Sequence, residues 1–362
     1  MLKNILMHVF TGASVAVAVM LILVGYSDRI NPVSHPVLAC IGMTLPFFII
    51  INLLFLVAWV LIKWKRLWIP LLGFIVAYGP VHTYFPLHGS SKVPEGSIKV
   101  MSYNVCGYQG NKDYGNCFDS IYNYLKREKP HIVCLQEDML QNTPTMERLG
   151  ELFPFNDTVH VNHKEGYTNV LGIHTRYPII RKERIEYKSD ANGSVAFFLK
   201  VGKREVIVVN NHLESFHLNP NDRQKYKDIL KGEIGGKAME DGTRTLIKKV
   251  SDAMALRAPQ ADAVHKYVEA HKDYPLIVCG DFNDTPISYV RHTIAQSLTD
   301  CYVETGTGAG ISYNQKGFSF RIDQMMCSSH FQPSRCEVDD AIKASDHYPV
   351  KCWMMLDGHF QK

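Results

Sequence analysis

A chain of 362 residues with 39 Lys and Arg against 35 Asp and Glu is too long for one small domain and asks for a large domain plus a further segment. The charge is unevenly placed, because six basic residues and one acid fall in 1–92, leaving 33 basic and 34 acidic residues in 93–362. That near-neutral larger part lacks the basic footprint of a protein that grips nucleic-acid backbone over many phosphates, and nine cysteines without a Cys-x-x-Cys argue against a structural zinc site.

Residues 5–25 are apolar and long enough to cross a bilayer at about 1.5 Å of rise per residue. A second apolar run, 37–62, is interrupted only by Pro46, and after Lys63-Trp64-Lys65-Arg66 a third, 67–85, carries Pro70, Pro80 and His82. A cleaved signal peptide does not explain three runs in succession, so 1–85 reads as a three-helix transmembrane anchor. Residues 86–96, with Gly89, Ser90, Ser91, Pro94 and Gly96, read as a linker. The positive-inside rule places Lys3 and the Lys63–Arg66 cluster in the cytoplasm. Three spans then put everything after about residue 90 on the extracytoplasmic face, whereas two spans would leave it on the cytoplasmic face.

From Ile98 the pattern changes to short apolar runs alternating with amphipathic stretches. The expected strands are 97–103, 131–136, 168–174, 195–201, 205–210, 275–279, 318–327 and 349–355, and the expected helices 117–128, 144–152, 221–231, 245–271 and 287–298. Strands joined partly by hairpin-length links and partly by helices predict an α/β fold of two packed mixed sheets with helices outside. Cys134, Cys279, Cys327 and Cys352 sit in apolar runs and read as small buried hydrophobes, while Cys106, Cys117, Cys301 and Cys336 lie nearer loops and have the option of pairing in an oxidising compartment.

Polar residues gather where the apolar runs stop. Asn104 ends the run 100–103, Glu137 the run 132–136, and His212 the run 206–211. Pro275-Leu276-Ile277-Val278 leads through Gly280 to Asp281 and Asn283, which point to one side if the extended geometry continues. Asp323 follows Phe318–Ile322, and Asp346 and His347 precede the last strand. Strand ends held by a rigid sheet are where reactive groups are positioned. Each residue alone is an ordinary turn or surface residue; six such ends together predict a site.

Ser102-Tyr103-Asn104, Leu135-Gln136-Glu137, Gly172-Ile173-His174-Thr175-Arg176-Tyr177-Pro178-Ile179, Asn211-His212-Leu213, Gly280-Asp281-Phe282-Asn283, Arg321-Ile322-Asp323 and Ser345-Asp346-His347-Tyr348-Pro349-Val350 occur in this order. In these motifs the sequence resembles the endonuclease/exonuclease/phosphatase superfamily, which includes deoxyribonuclease I-like enzymes, neutral sphingomyelinases and inositol-polyphosphate phosphatases. The resemblance implies a four-layer α/β sandwich over 97–357 and divalent-metal-dependent hydrolysis of phosphoesters. It implies Glu137 as first ligand of Mg²⁺ (Mn²⁺ or Ca²⁺ being the alternatives), Asn104 as its neighbour and Asp346 completing the shell or a second site, a set of hard oxygen donors suited to such an ion. Asp281 would then orient and deprotonate the attacking water, Asn283 would donate to a non-bridging oxygen, and His212 and His347 would contact the phosphate, His347 being held by Asp323. The expected substrate is a phosphodiester at the bilayer, such as a lipid head group. The rival readings are an extracytoplasmic nuclease on DNA or RNA, then a phosphomonoesterase, and, in another class, a non-catalytic membrane protein that binds phosphorylated ligands. Between His212 and Asp281 the excursion 213–274, with Gly232-Glu233-Ile234-Gly235-Gly236 inside it, is open to reading as a lid or as a solvated insertion.

Overall fold

The computed structural model describes residues 1–89, 91–110, 116–139, 143–161, 169–216, 220–233, 235–315 and 318–357. Ser90 of the expected linker, Thr168 of the expected third strand and Ile234 of the glycine-rich stretch lie outside the described residues.

The N-terminal segment is helical: α1 Leu2–Gly25, α2 Pro36–Ala39, α3 Leu45–Ile62, α4 Trp68–Val76 and α5 Tyr78–Tyr84. Two stretches, Leu2–Arg29 and Pro36–Ile62, are long and apolar enough to cross a membrane. The third apolar run differs from a straight span, since it bends by 67° between Trp64–Val76 and Tyr78–Tyr84. Pro80 explains the break: it has no N–H for the carbonyl of Val76, and the Tyr26 hydroxyl donates to that oxygen instead at 2.8 Å. Inside the bundle Trp59 Nε1 donates to Ser14 Oγ at 3.0 Å and Asn52 Nδ2 to Pro70 O at 3.0 Å. Outward, Leu6, Val9, Leu23, Leu54 and Leu61 are exposed.

The remainder contains α6 Cys117–Glu128, α7 Thr143–Leu152, α8 Pro220–Lys231, α9 Gly236–Ala270, α10 Tyr289–Ile294 and α11 Cys301–Thr305. Its strands are β1 Ile98–Asn104, β2 Ile132–Gln136, β3 Phe155–His160, β4 Val170–Thr175, β5 Ile179–Ile185, β6 Gly193–Val201 and β7 Arg204–His212. There follow β8 Leu276–Asp281, β9 Thr299–Asp300, β10 Tyr313–Gln315, β11 Phe318–Phe320, β12 Asp323–Cys327, β13 Phe331–Val338 and β14 Val350–Leu356. One sheet has the order β13-β14-β1-β2-β4-β3, the other β5-β6-β7-β8-β12-β9, and β10-β11 is a separate hairpin. Val100, Ile132, Cys134, Ile173, Phe197 and Ile277 pack between the two sheets. Ile121 and Leu125 of α6 cover the outer face of the first sheet, and Ala261 and Val264 of α9 that of the second. The result is the four-layer α/β sandwich.

Several expectations are corrected. The strands β3, β5 and β13 are additional to the expected ones; all three lie at sheet margins, and β3 and β5 mix exposed and half-buried residues along most of their length, so they lack the apolar run that marks a buried strand. The run 318–327 is two strands, broken between Phe320 and Asp323. The excursion 213–274 is neither a lid nor a solvated insertion in its second half, because α9 buries Ala253, Met254, Ala258, Ala261, Val264 and Val268 as an outer layer. All nine cysteines are free thiols, and Cys117, Cys301 and Cys336 are buried instead of sitting in loops.

Candidate active site

Sheet register assembles the site. In the second sheet β7 runs parallel to β8 with His212 opposite Asp281, and β12 runs antiparallel to β8 with Asp323 opposite Asp281. Directly paired residues share a face, so His212, Asp281 and Asp323 form one row. In the first sheet β1 and β2 are parallel with Asn104 opposite Gln136, which puts Asn104 beside Glu137, the residue after the strand. The sheets are locked in relative position near this end by Gln136 Nε2, which donates to Asn210 Oδ1 at 2.6 Å.

Glycine has one strict task here. Gly280 adopts φ +133°, and a Cβ on it would lie 2.0 Å from the carbonyl oxygen of Asn211, so the close approach of β7 to β8 admits no side chain. Glu137 (φ 55°) and Asn283 (φ 51°) also occupy the left-handed region, a conformation that turns each side chain out of its strand direction.

Asp281 is the centre. Its Oδ1 accepts the Asn283 backbone N–H at 2.8 Å. Its Oδ2 accepts from Asn104 Nδ2 at 3.1 Å and lies 3.7 Å from His212 Nε2 and 3.6 Å from His347 Nε2. The same Asn104 Nδ2 is 3.2 Å from Glu137 Oε1, so one amide is shared by the two carboxylates. Asn104 Oδ1 accepts the Cys106 N–H at 3.0 Å, which turns the amide nitrogen, not the oxygen, toward the acids. Glu137 Oε1 is 4.0 Å from His212 Nε2. His347 Nδ1 donates to Asp323 Oδ2 at 2.8 Å. Asn283 Nδ2 donates to Leu213 O at 2.9 Å, which leaves its second amide hydrogen free of that bond.

Burial alone would lower the pKa of His347, but the Asp323 and Asp281 carboxylates outweigh it and hold the imidazole well above the usual histidine range. His212 goes the other way, because burial pushes it down more than Asp281 pulls it up. The short contact from Asn169 Nδ2 to His212 Nδ1, 3.0 Å, suits a neutral ring with Nδ1 as acceptor and the Nε2 hydrogen aimed into the site. Burial raises Asp281, with His347 opposing it, and burial also raises Glu137, where the Asn104 hydrogen bond and His347 oppose and Asp346 adds to the shift.

Asp281, Asp323 and His347 bring ligand-type atoms within 4.8 Å of one another. The hydrogen bond between His347 and Asp323 makes this trio a proton-holding relay better than a cation cage. Glu137 keeps 30 % of its side chain open, and burial, with the Asp346 carboxylate adding to it, raises its proton affinity.

All eight residues expected from the sequence lie at this end of the sandwich. The missed ones are Asn169, which orients His212; Ser345, whose Oγ donates to Asn104 O at 2.7 Å; and Tyr313, whose ring centroid is 4.9 Å from that of His347. Ser345 stands next to the Asp346-His347 pair, but Asn169 and Tyr313 carry no sequence signal, one being an ordinary polar residue in an irregular stretch and the other an aromatic residue at the start of the short strand β10.

The fold and the site define a two-sheet α/β protein with a carboxylate and histidine cluster across its strand ends. The model described as the endonuclease/exonuclease/phosphatase family matches residues 101–347, and a domain of unknown function matches 7–84. The chain belongs to the endonuclease/exonuclease/phosphatase family, a family of metal-dependent phosphoester hydrolases. Among solved structures it is similar to a humanised D. rerio TDP2 (14 % identity, 72 % of this chain and 99 % of that one, TM-score 0.50). Truncated Caenorhabditis elegans TDP2 gives 15 % identity over 73 % and 99 %, TM-score 0.50. Bacteroides thetaiotaomicron mannosyl-6-phosphatase gives 19 % over 72 % and 100 %, TM-score 0.51. These likenesses are of fold. No curated protein matches the sequence.

Proposed function

We propose that this protein is a membrane-anchored, divalent-cation-dependent phosphodiesterase with its catalytic domain on the extracytoplasmic face, acting on a phosphodiester such as a lipid head group. The observation that carries the chemistry is Asp281 Oδ2, set between His212 and His347 and sharing the Asn104 amide with Glu137.

Glu137 and Asp346 would hold Mg²⁺ (or Mn²⁺ or Ca²⁺), while Asn104, expected as a further oxygen donor, turns its amide nitrogen to Glu137 and steadies that carboxylate instead; the ion would supply charge neutralisation at a phosphoryl oxygen and the leaving oxygen. Asp281, with its raised proton affinity, orients and deprotonates a water. The cationic His347, fixed by Asp323, donates through Nε2 to a phosphoryl oxygen as charge grows there. His212 and the free amide hydrogen of Asn283 donate to the remaining oxygens.

The orientation is supported by contacts at the two ends of the helical segment. Arg66 donates to Met7 O at 3.1 Å, so the Lys63–Arg66 cluster sits with the start of α1. At the other end, Gly42, between α2 and α3, packs against Ile287, and Arg321 donates to Thr83 O at the end of α5. Placing both the first connection and the end of the third run on the catalytic-domain side favours three crossings, the last one bent, and the division into an anchor (1–85), a linker (86–96) and a catalytic domain (97–357) follows. A site so close to the bilayer favours a phosphoester presented by lipid.

The test uses the full chain in detergent micelles with Mg²⁺, offered a phosphodiester lipid, plasmid DNA and a phosphomonoester. The expected result is chelator-sensitive hydrolysis of the lipid. DNA cleavage that weakens steeply with salt would replace the lipid reading with the nuclease one. Binding of phosphorylated ligands without turnover would leave only a binding protein.

A further inference from the structure

The helical segment touches the larger domain at two places that lead straight into the site. Ile287, four residues past Asn283, is 2 % exposed and packs with Leu21, Val24, Leu45, Ala77 and Tyr84 of the helices. Gly42 presses on the same turn, where an added Cβ would sit 2.3 Å from the Ile287 carbonyl oxygen. Asp28, just after α1, lies 3.3 Å from His292 Nδ1 on α10. From the domain side the turn is gripped by Arg257, whose Nε and Nη2 donate to Asp284 Oδ2 at 3.2 and 3.1 Å.

The second place is Arg321, two residues before Asp323. It is buried, donates to Thr83 O at the end of α5 and to Ala309 O at 3.2 Å, and stacks over the Tyr302 ring at 4.4 Å. Asp323 in turn holds His347. The chain segments that deliver Asn283 and Asp323 therefore run, within four residues, into a contact with the helices, and Asp281 lies six residues before Ile287.

Four residues reach at most about 14 Å, and both contacts are close-packed, so little slack separates them from the reacting groups. Asn283 holds a left-handed φ of 51° that its surroundings must enforce. A displacement of about 1 Å at a catalytic group costs on the order of 10²-fold in rate.

We infer that the N-terminal helical segment is a working part of the active site: Gly42 and Ile287 position the Asp281–Asn283 turn, and the Arg321–Thr83 contact positions Asp323 and through it His347. Gly42, Ile287 and Arg321 are positioning residues, since none touches the reacting atoms. The kinetic consequence rests on the hydrolase reading given above.

The test compares full-length protein in micelles with Gly42→Val, Ile287→Ala and the control Gly12→Val, the control being a site where an added Cβ meets nothing within 4 Å. Hydrogen exchange of the peptide covering 282–287 is measured by mass spectrometry, alongside kcat and KM on the small soluble ester bis(4-nitrophenyl) phosphate with Mg²⁺. Gly42→Val and Ile287→Ala are expected to exchange at least about fivefold faster there and to lose about tenfold or more in kcat, with KM within about twofold of the parent. Gly12→Val should match the parent in both. Ile287→Ala, which only removes side-chain atoms, serves where Gly42→Val fails to insert. Unchanged exchange, or faster exchange with an unaltered kcat, overturns the inference. If the parent protein itself hydrolyses nothing, the hydrolase reading fails separately, and the exchange comparison alone decides whether the helices hold the turn.

Discussion

Asp323 Oδ2 stands 2.8 Å from His347 Nδ1, and the two side chains are respectively 1 % and 6 % exposed. A buried carboxylate so placed holds a proton on Nδ1 and favours the doubly protonated ring, whose Nε2–H then faces Asp281 as a donor.

Replacing Asp323 with Asn should therefore lower the His347 pKa. In metal-free protein, an NMR titration of the imidazole is expected to show a pKa well above 6.5 in the parent and a lower one in the variant. The sign for stability follows: a raised folded pKa stabilises fully below the unfolded value of about 6.5 and is lost as pH rises through the folded one. An unmoved titration would remove Asp323 from this role.

Glu137→Ala should remove the strongest candidate cation donor while leaving the fold intact, because the side chain is partly open and ends a strand instead of filling a core. Mn²⁺ affinity by calorimetry is expected to fall by about 10²-fold or more, and turnover by about 10³-fold. Retained Mn²⁺ binding would move the cation site elsewhere.

Asn169→Leu keeps the branched heavy-atom skeleton and deletes the hydrogen bond to His212 Nδ1. A loss of about 10- to 100-fold in kcat with a nearly unchanged KM is the expected outcome. Asn169→Asp should instead accept from Nδ1 and raise the His212 pKa, which moves the acidic limb of the pH–rate profile to higher pH. Steady-state kinetics across pH separates these results.

Away from the site, Glu128 accepts from Lys99 Nζ at 2.8 Å and Lys351 Nζ at 3.0 Å. Burial pushes its carboxyl up, but the two lysines outweigh it and bring the pKa down from 4.5 to about 2. A depressed pKa stabilises above the unfolded value and is lost as pH falls through the folded one, so the window lies between about pH 4.5 and pH 2. Glu128→Gln is expected to melt about 2–4 °C lower at pH 7, a gap that closes across that window in thermal scans.

The sequence by itself determined the buried strands, the helix α6 to the residue, the apolar N-terminal runs and the eight polar groups at strand ends, because each depends on local periodicity or on a short motif. Only the tertiary structure decided the row His212, Asp281 and Asp323, which comes from the register of three strands far apart in the chain. It also decided the margin strands β3, β5 and β13, the bend at Pro80, the orienting role of Asn169 and the seating of Ile287 among the N-terminal helices. Register and docking depend on contacts between residues distant in sequence, and no local pattern of side chains encodes which partner will be there.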